Sequence, residues 1–250
     1  MAGHSKWANI KHRKARADAQ KGKVFTKLAR EITVAAREGG DDINMNFRLR
    51  LAVQKAREAN VPTENINRAI QRGAGGSDND GLEQVMYEGY GPGGVAVLLQ
   101  ILTDNRNRTA PEIRNIFSRN DGSMGESGCV AWMFSRKGYI TIDKVESLPS
   151  EDELMLLALE GGAEDFKEEE NSYVITSEPE DFEALRNMLS DQQVPLSTSE
   201  VTMVPQNLVR IDNPEDASKV LRLLEALEDH DDVQNVYSNF DIPEEILQSV

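Results

Sequence analysis

YITIDKVESLPSEDELMLLALEGGAEDFKEEENSYVITSEPEDFEALRNMLSDQQVPLSTSEVTMV, Tyr139 to Val204, alternates between two periodicities. Tyr139–Ile142 has the short apolar run of a strand. A helix starts near Glu151, with Ser150 as its cap and Glu153 three residues on, the spacing of a capping box. Strands are expected near Glu164–Glu168 and Ser172–Thr176, then a helix from Pro179 to about Asp191 and a strand through Val201–Val204. The order is β-α-β-β-α-β, that of ferredoxin-like domains.

The flanks do not belong to that unit. Upstream, Val85–Tyr87 and Val95–Leu102 read as strands around Gly89–Gly94, followed by a helix of about Ala110 to Arg119 with Thr109 and Glu112 as its capping box. The glycine-rich loop Gly122–Gly128 leads into an apolar segment, Cys129–Phe134, read as a strand. Downstream, Leu208–Ile211, a helix from Pro214 to about Glu228, and Val233–Tyr237 give a further β-α-β, which could complete the sheet begun at Val85. The ferredoxin-like unit is then an insertion. Before all of this come three helices: Val24–Glu38 ending at Gly39-Gly40, Met45–Asn60, and a short one capped by Thr63 that stops at Gly73. GGSDNDG at 75–81 reads as a linker. The expected fold class is therefore α+β in three domains. These are a basic arm and helical bundle at 1–78, a discontinuous α+β domain at 79–134 plus 205–250, and an inserted ferredoxin-like domain at 135–204.

The formal net charge of −15 hides a sharp division. Residues 1–72 hold 16 Lys and Arg against 7 Asp and Glu, while the remainder holds 12 against 36. A polyanion-binding end on an acidic body is the natural inference. No apolar run approaches the roughly 18–20 residues of a membrane span, and no secretory h-region follows the basic start. The single cysteine, Cys129, allows no internal disulfide and fits a reducing compartment, so a cytoplasmic protein with no membrane partner is expected. None of His4, His12 and His230 has metal-ligand or catalytic spacing to Cys129, which reads as structural.

The first 22 residues, MAGHSKWANIKHRKARADAQKG, carry little apolar area beyond alanine and are expected to form a mobile arm that orders on binding. Its candidate nucleic-acid contacts are Lys6, Trp7, Lys11, His12, Arg13, Lys14, Arg16 and Lys21. Trp7 among cations suits stacking on a base of irregular RNA, or docking of the arm onto the protein's own body. In the first helix Phe25, Leu28, Ile32 and Ala35 form one stripe, with Lys23, Lys27, Arg30 and Arg37 nearly opposite it. One face can pack while the other meets phosphate, although Val34 intrudes on the charged side.

Asn105, Arg106 and Arg108 in DNRNRT join a strand to a helix start, where Arg forks and free backbone N–H groups favour phosphate or carboxylate. A loop held by its own Asn and Asp turns fits equally. Gly89–Gly94 matches G-x-G-x-x-G, but Pro92 sits in it and a strand follows, so a hairpin turn is expected and no dinucleotide. The acidic runs Glu168–Glu170 and Glu228–Asp232 read as solvated surface, His230 apart. There is no nucleophile–base set and no metal motif, so neither an enzyme nor a cofactor is expected.

The opening MAGHSKWANIKHRKARADAQKGKVFTKLAREI resembles that of the YebC family, and YEGYGPGG, TDNRNRT, GSMGESG and VYSNFDIPEEI are similar to further family signatures. The resemblance spans nearly the whole chain. It implies the same three domains, with the last inserted in the second, and a role in gene expression that is described in two ways. Bacterial members have been called DNA-binding transcriptional regulators. A mitochondrial relative is a translational activator, and bacterial relatives have been linked to relief of ribosomes stalled at proline-rich sequences. The expected function is a nucleic-acid-binding regulator, first a ribosome- or RNA-associated translation factor with ribosomal RNA as partner, and second a DNA-binding transcriptional regulator. No helix shows, in sequence, an exposed Asn/Gln/Arg cluster of the base-reading kind, which weakens sequence-specific DNA binding.

Overall fold

The computed structural model describes residues 18–75, 81–146 and 148–247. They form a mixed helix-and-sheet protein in two compact units. One is Met133–Asn207; the other combines the described residues up to Trp132 with those from Leu208 onward.

The second of these units starts with α1 (Asp18–Gly39), α2 (Phe47–Glu58) and α3 (Thr63–Ala74). The α1 stripe buries Leu28, Ile32 and Ala35 against Leu49, Ala52, Val53 and Ala56 of α2 and Ile66 and Ala69 of α3. Gly40 closes α1 in the left-handed region (φ +87°). Asn46 then caps α2 by accepting from the Leu49 N–H at 3.0 Å, and its amide donates back to the Ala35 carbonyl at 2.8 Å. α1 begins earlier than its periodicity implied, so residues 18–22 are helix rather than arm, and residues 1–17 lie outside the described residues. Thr63 is not a cap: Pro62 holds the N-cap position and Thr63 is the first helical residue.

Gly73 lets α3 cross α1 closely. A Cβ there would lie 2.4 Å from the Thr33 carbonyl oxygen and 2.7 Å from the Ala36 Cβ. Alanine gains about 1 kcal/mol of helix propensity over glycine, but overpacking against backbone costs about 3 kcal/mol. Gly73→Ala should therefore lower stability by about 2 kcal/mol net in denaturant unfolding; an unchanged or raised midpoint would refute the close crossing.

The sheet of this unit has the order β3-β1-β2-β9, all antiparallel. Its strands are β1 (Glu83–Tyr90), β2 (Ala96–Thr103), β3 (Ser123–Met124) and β9 (Val233–Ser238). Gly91–Val95 turns β1 into β2 with Gly93 and Gly94 at φ +69° and +77°, the hairpin expected of the glycine-rich motif. α4 (Arg106–Arg119) and α7 (Pro214–Glu228) bury Ile113, Phe117, Val220, Leu223 and Leu227 with Val97, Leu99 and Ile101 of β2 and Val233 and Val236 of β9. Leu208–Ile211 does not enter this sheet: β8 (Val209–Arg210) pairs instead with β10 (Phe240–Asp241), and α8 (Glu244–Leu247) follows.

Along the chain, the contiguous unit interrupts this one. Its elements are β4 (Phe134–Asp143), α5 (Glu151–Glu160), β5 (Ala163–Glu168), β6 (Ser172–Ser177), α6 (Phe182–Asp191) and β7 (Thr198–Pro205). The strand order β5-β6-β4-β7 is antiparallel throughout, the split β-α-β arrangement expected from the alternation. Ser150 and Glu153 form the predicted capping box. The predicted strand at Cys129–Phe134 is absent. That segment is a turn and a short 3-10 helix, and β4 begins only at Phe134, where pairing with Pro205 starts.

Candidate nucleic-acid interface

Three of the α1 cations face the chain's own acidic turn after α7. The Lys23 Nζ donates to the Asp229 carboxylate at 2.8 Å and to its carbonyl at 3.2 Å. The Lys27 Nζ donates to the Glu228 carbonyl at 2.6 Å. The Arg30 Nη1 reaches the Asp231 carbonyl at 2.8 Å and the Asp232 carboxylate at 3.4 Å. These acceptors are the carbonyls and carboxylates at the C-terminal end of a 15-residue helix, where the dipole already concentrates negative charge. The fourth cation, Arg37, donates to the Leu82 carbonyl at 2.6 Å. Val34 lies on the same face between Arg30 and Arg37 and is fully buried. The apolar intruder belongs to a docking face.

Asp232 is the hub of that face, and it is not the solvated acid its sequence neighbours suggest. Its side chain is 5% exposed. Its Oδ2 accepts from the Arg108 Nη2 and from the Thr109 hydroxyl, both at 2.8 Å. The Thr103 hydroxyl lies 2.7 Å from that of Thr109 and accepts the Asn105 N–H at 2.9 Å, so a chain of hydrogen bonds runs from the start of α4 into the carboxylate. Burial pushes the Asp232 carboxyl up, but the bonds from Arg108 and Thr109 outweigh it and hold it below the usual carboxylate range. His230 Nδ1 accepts the Asp232 N–H at 3.2 Å, which leaves the Nε2 proton to be given to Glu112 at 2.9 Å.

This arrangement resets the start of α4. Asn105, not Thr109, is the N-cap and accepts from the Arg108 N–H at 3.2 Å. Thr109 and Glu112 are not a capping box, because the Thr109 hydroxyl is turned to Asp232 and Glu112 to His230. Arg106 pairs with Glu83 at 2.6 Å, and Arg108 with Asp104 at 3.0 Å as well as Asp232. Both guanidinium groups are thus engaged by carboxylates of the protein itself. A groove of about 610 Å³ lies here, lined by Lys23, Arg30, Arg108, Asn115 and Asp229 among others.

The arm residues Lys6, Trp7, Lys11, His12, Arg13, Lys14 and Arg16 lie outside the described residues, as does the side chain of Lys21. Sequence reading missed one surface. Helix α3 turns Asn65, Asn67, Arg68, Gln71 and Arg72 outward while Ile66, Ala69 and Gly73 are buried. Its amides and guanidinium groups are of the kind that reads base edges. The outward set was legible in TENINRAIQRG once the inward positions were fixed.

A second carboxylate organises the GSMGESG segment. Glu88 of β1 is 3% exposed and accepts the backbone N–H groups of Gly128 at 2.6 Å and of Val130 and Ala131 at 2.7 Å. Two of these donors, Val130 and Ala131, lie inside the predicted strand at 129–134 and, given to one side chain, cannot serve a strand ladder, which is why it does not form. Burial pushes the Glu88 carboxyl up, and the three N–H groups more than reverse this. Cys129 is half-buried, and its thiol is pushed up by burial and by Glu88, the environment of an inert structural thiol. Among the described residues no group of three His, Cys, Asp or Glu could hold a metal ion, and no helix is long and apolar enough to cross a membrane.

Fold and charge layout together define a mixed α+β protein in which Lys23, Lys27 and Arg30 of α1 pack against the acidic turn Glu228–Asp232 of a discontinuous unit. The family model described as the TACO1/YebC protein N-terminal domain matches residues 5–76, and that of the TACO1/YebC second and third domain matches residues 82–240. The chain belongs to the TACO1/YebC family. A protein from Natranaerobius thermophilus is 59% identical over 250 residues, covering all of both chains, and one from Halothermothrix orenii is 57% identical over all of this chain and 99% of its own. Each is named a probable transcriptional regulatory protein. The crystal structure of a conserved hypothetical protein, Aq1575, from Aquifex aeolicus is similar with a TM-score of 0.84 and 49% identity, covering 97% of this chain and 99% of that one.

Proposed function

We propose that this protein is a nucleic-acid-binding regulator of gene expression that acts in the cytoplasm as a ribosome- or RNA-associated translation factor, helping at stalled, proline-rich sequences. The observation that carries this reading is the division of charge, a strongly basic first 72 residues on an otherwise acidic chain. Phosphate attraction supplies most non-specific nucleic-acid affinity, and an arm with one Trp suits irregular RNA. Arg106 and Arg108 already satisfy carboxylates of the protein, so the arm, not that loop, is the principal contact in this reading.

A second reading, a DNA-binding transcriptional regulator, is favoured by the outward Asn/Arg/Gln face of α3 and by the names of the relatives. Crosslinking in cells, followed by sequencing of the attached RNA and DNA, separates the two. Reads concentrated on ribosomal RNA support the first; discrete promoter DNA supports the second. Replacing Lys11, Arg13, Lys14 and Arg16 together by Gln should flatten the slope of log affinity against log salt by about 3, at about 0.7 per phosphate contact on a single strand. An unchanged slope in a folded variant would remove the arm from the mechanism.

A further inference from the structure

The row Lys23, Lys27, Arg30 was read from sequence as a phosphate-binding face, yet in the folded protein it is occupied. Its occupant has the chemistry of what the row is suited to bind: a short run of anionic and carbonyl oxygens, at the negative end of a helix. The occupation is uneven along the row. Arg30 holds to Asp232, which is buried and further fixed by Arg108 and Thr109, and the buried Val34 lies one turn on. Lys23 and Asp229, at the other end, have side chains 45% and 67% exposed. Exposed pairs of this kind contribute little to stability and are screened by salt. Lys23 is also the end of the row that continues in sequence into Lys21 and the basic arm.

We propose that the turn Glu228–Asp232 acts as an internal stand-in for phosphate, covering Lys23 and Lys27 in the free protein, and that RNA competes with it for these two lysines while Arg30 and Asp232 stay docked. The proposal rests on the nucleic-acid reading above and adds to it a regulated site. The Asp229 hydrogen bond is the chief reason the Lys23 ammonium holds its proton more tightly than usual, with the charge of Asp231 adding to it, so the turn already supplies the field a phosphate would supply. RNA that displaces it gains two contacts and loses the repulsion of Asp229 and Asp231. A cation that is already paired releases fewer counterions on binding, so masking shows as a shallower salt dependence as well as a weaker affinity.

The test uses the full chain and a 20-nucleotide oligouridylate, with single-stranded DNA of equal length in parallel. Asp229→Asn with Asp231→Asn should bind the RNA about fivefold more tightly at low salt, with a slope steeper by about 0.7 for one uncovered cation, Lys23, since Lys27 is held by the Glu228 carbonyl. Glu170→Gln with Glu180→Gln removes the same charge from exposed positions of the contiguous unit and should change affinity less than about twofold at moderate salt. In a Lys23→Gln, Lys27→Gln background the gain from the Asp229 and Asp231 changes should vanish, because the partners they cover are gone. An equal gain in the Glu170/Glu180 control, or a gain that persists in the lysine-free background, would make the effect one of general charge and overturn the masking. Wild-type binding that the Asp229/Asp231 variant leaves unaltered would overturn it while leaving the nucleic-acid reading intact. If neither wild type nor variant binds RNA or DNA, both readings fall; binding by the variant alone supports the masking. Tighter binding confined to the DNA keeps the masked row and transfers it from RNA to DNA.

Discussion

Asp232→Ala should remove about 3 kcal/mol of stability, two hydrogen bonds to a buried carboxylate at about 1.5 kcal/mol each, because Arg108 and Arg30 keep other partners and can turn to solvent. The carboxylate joins three elements: Arg30 on α1, Arg108 and Thr109 on α4, and its own position at the start of β9, where the Asp232 carbonyl accepts the Leu102 N–H at 2.8 Å. Its removal leaves the Thr109 hydroxyl, which is completely buried, without its charged acceptor. Asp232→Asn is the informative companion, since its amide oxygen still accepts from Thr109 while the charge opposite Arg108 and Arg30 is gone. A loss of about half the alanine value is expected for it, hydrogen bonds to charged groups being worth about 1.5–3 kcal/mol. Denaturant unfolding of the three proteins measures both. A loss below about 1 kcal/mol for Asp232→Ala would show the hub to be solvated surface after all. The pH dependence has a definite sign. Because the folded carboxyl lies below its unfolded value near 3.9, it stabilises above that value, and its contribution fades as pH falls through the lower folded one. The acid limb of the stability curve should flatten in Asp232→Asn.

Glu88→Ala should be as costly, about 3 kcal/mol, but more local in effect. Three backbone donors lose a buried charged acceptor at once, and nothing else in the segment Gly125–Trp132 replaces it; the Tyr90 hydroxyl and the Trp132 indole N–H both go to the Cys129 carbonyl, at 3.0 and 3.2 Å. The measurement suited to this is amide hydrogen exchange. Protection at Gly128, Val130 and Ala131 should fall by a factor of about 100, with the strands of the contiguous unit unchanged. Glu88→Gln keeps shape and part of the acceptor capacity and should fall between. Protection unchanged in Glu88→Ala would mean that the segment is held by its own turns. Like Asp232, Glu88 stabilises above its unfolded value and loses effect as pH drops through its depressed one.

What could be read in sequence was what neighbouring residues decide. The alternation from Tyr139 to Val204 predicted the contiguous unit because each strand and helix there carries its own period and one helix its own cap. The failures arise where a distant residue decides. Cys129–Phe134 has the composition of a strand, but two of its donors belong to Glu88, some forty residues back. Asn105 and Thr109 are both chemically able to cap α4, and the choice follows from Asp232, more than a hundred residues on. Within Glu228–Asp232 every acid looks alike, and only packing turns one of them inward. Val34 was the legible hint about the candidate interface, since a valine among cations on one helical face signals burial there. The arm and its eight candidate residues were read from charge and composition alone, because no local apolar pattern ties them to a core.

The discontinuous core has a consequence for how the chain is made. Val95 to Phe117 form one half of it and Ile211 to Ile242 the other, with Met133–Asn207 between. A chain leaving the ribosome at about 5–20 residues per second must extend for several seconds after the first half emerges before β9 and α7 exist to complete it. The intervening unit is contiguous and has all of its own strands before then. Throughout that interval Lys23, Lys27 and Arg30 have been synthesised and their partners at Glu228–Asp232 have not. The newborn protein therefore carries that cationic row uncovered by Glu228–Asp232 beside the very particle that is translating it, until the turn between α7 and β9 has emerged.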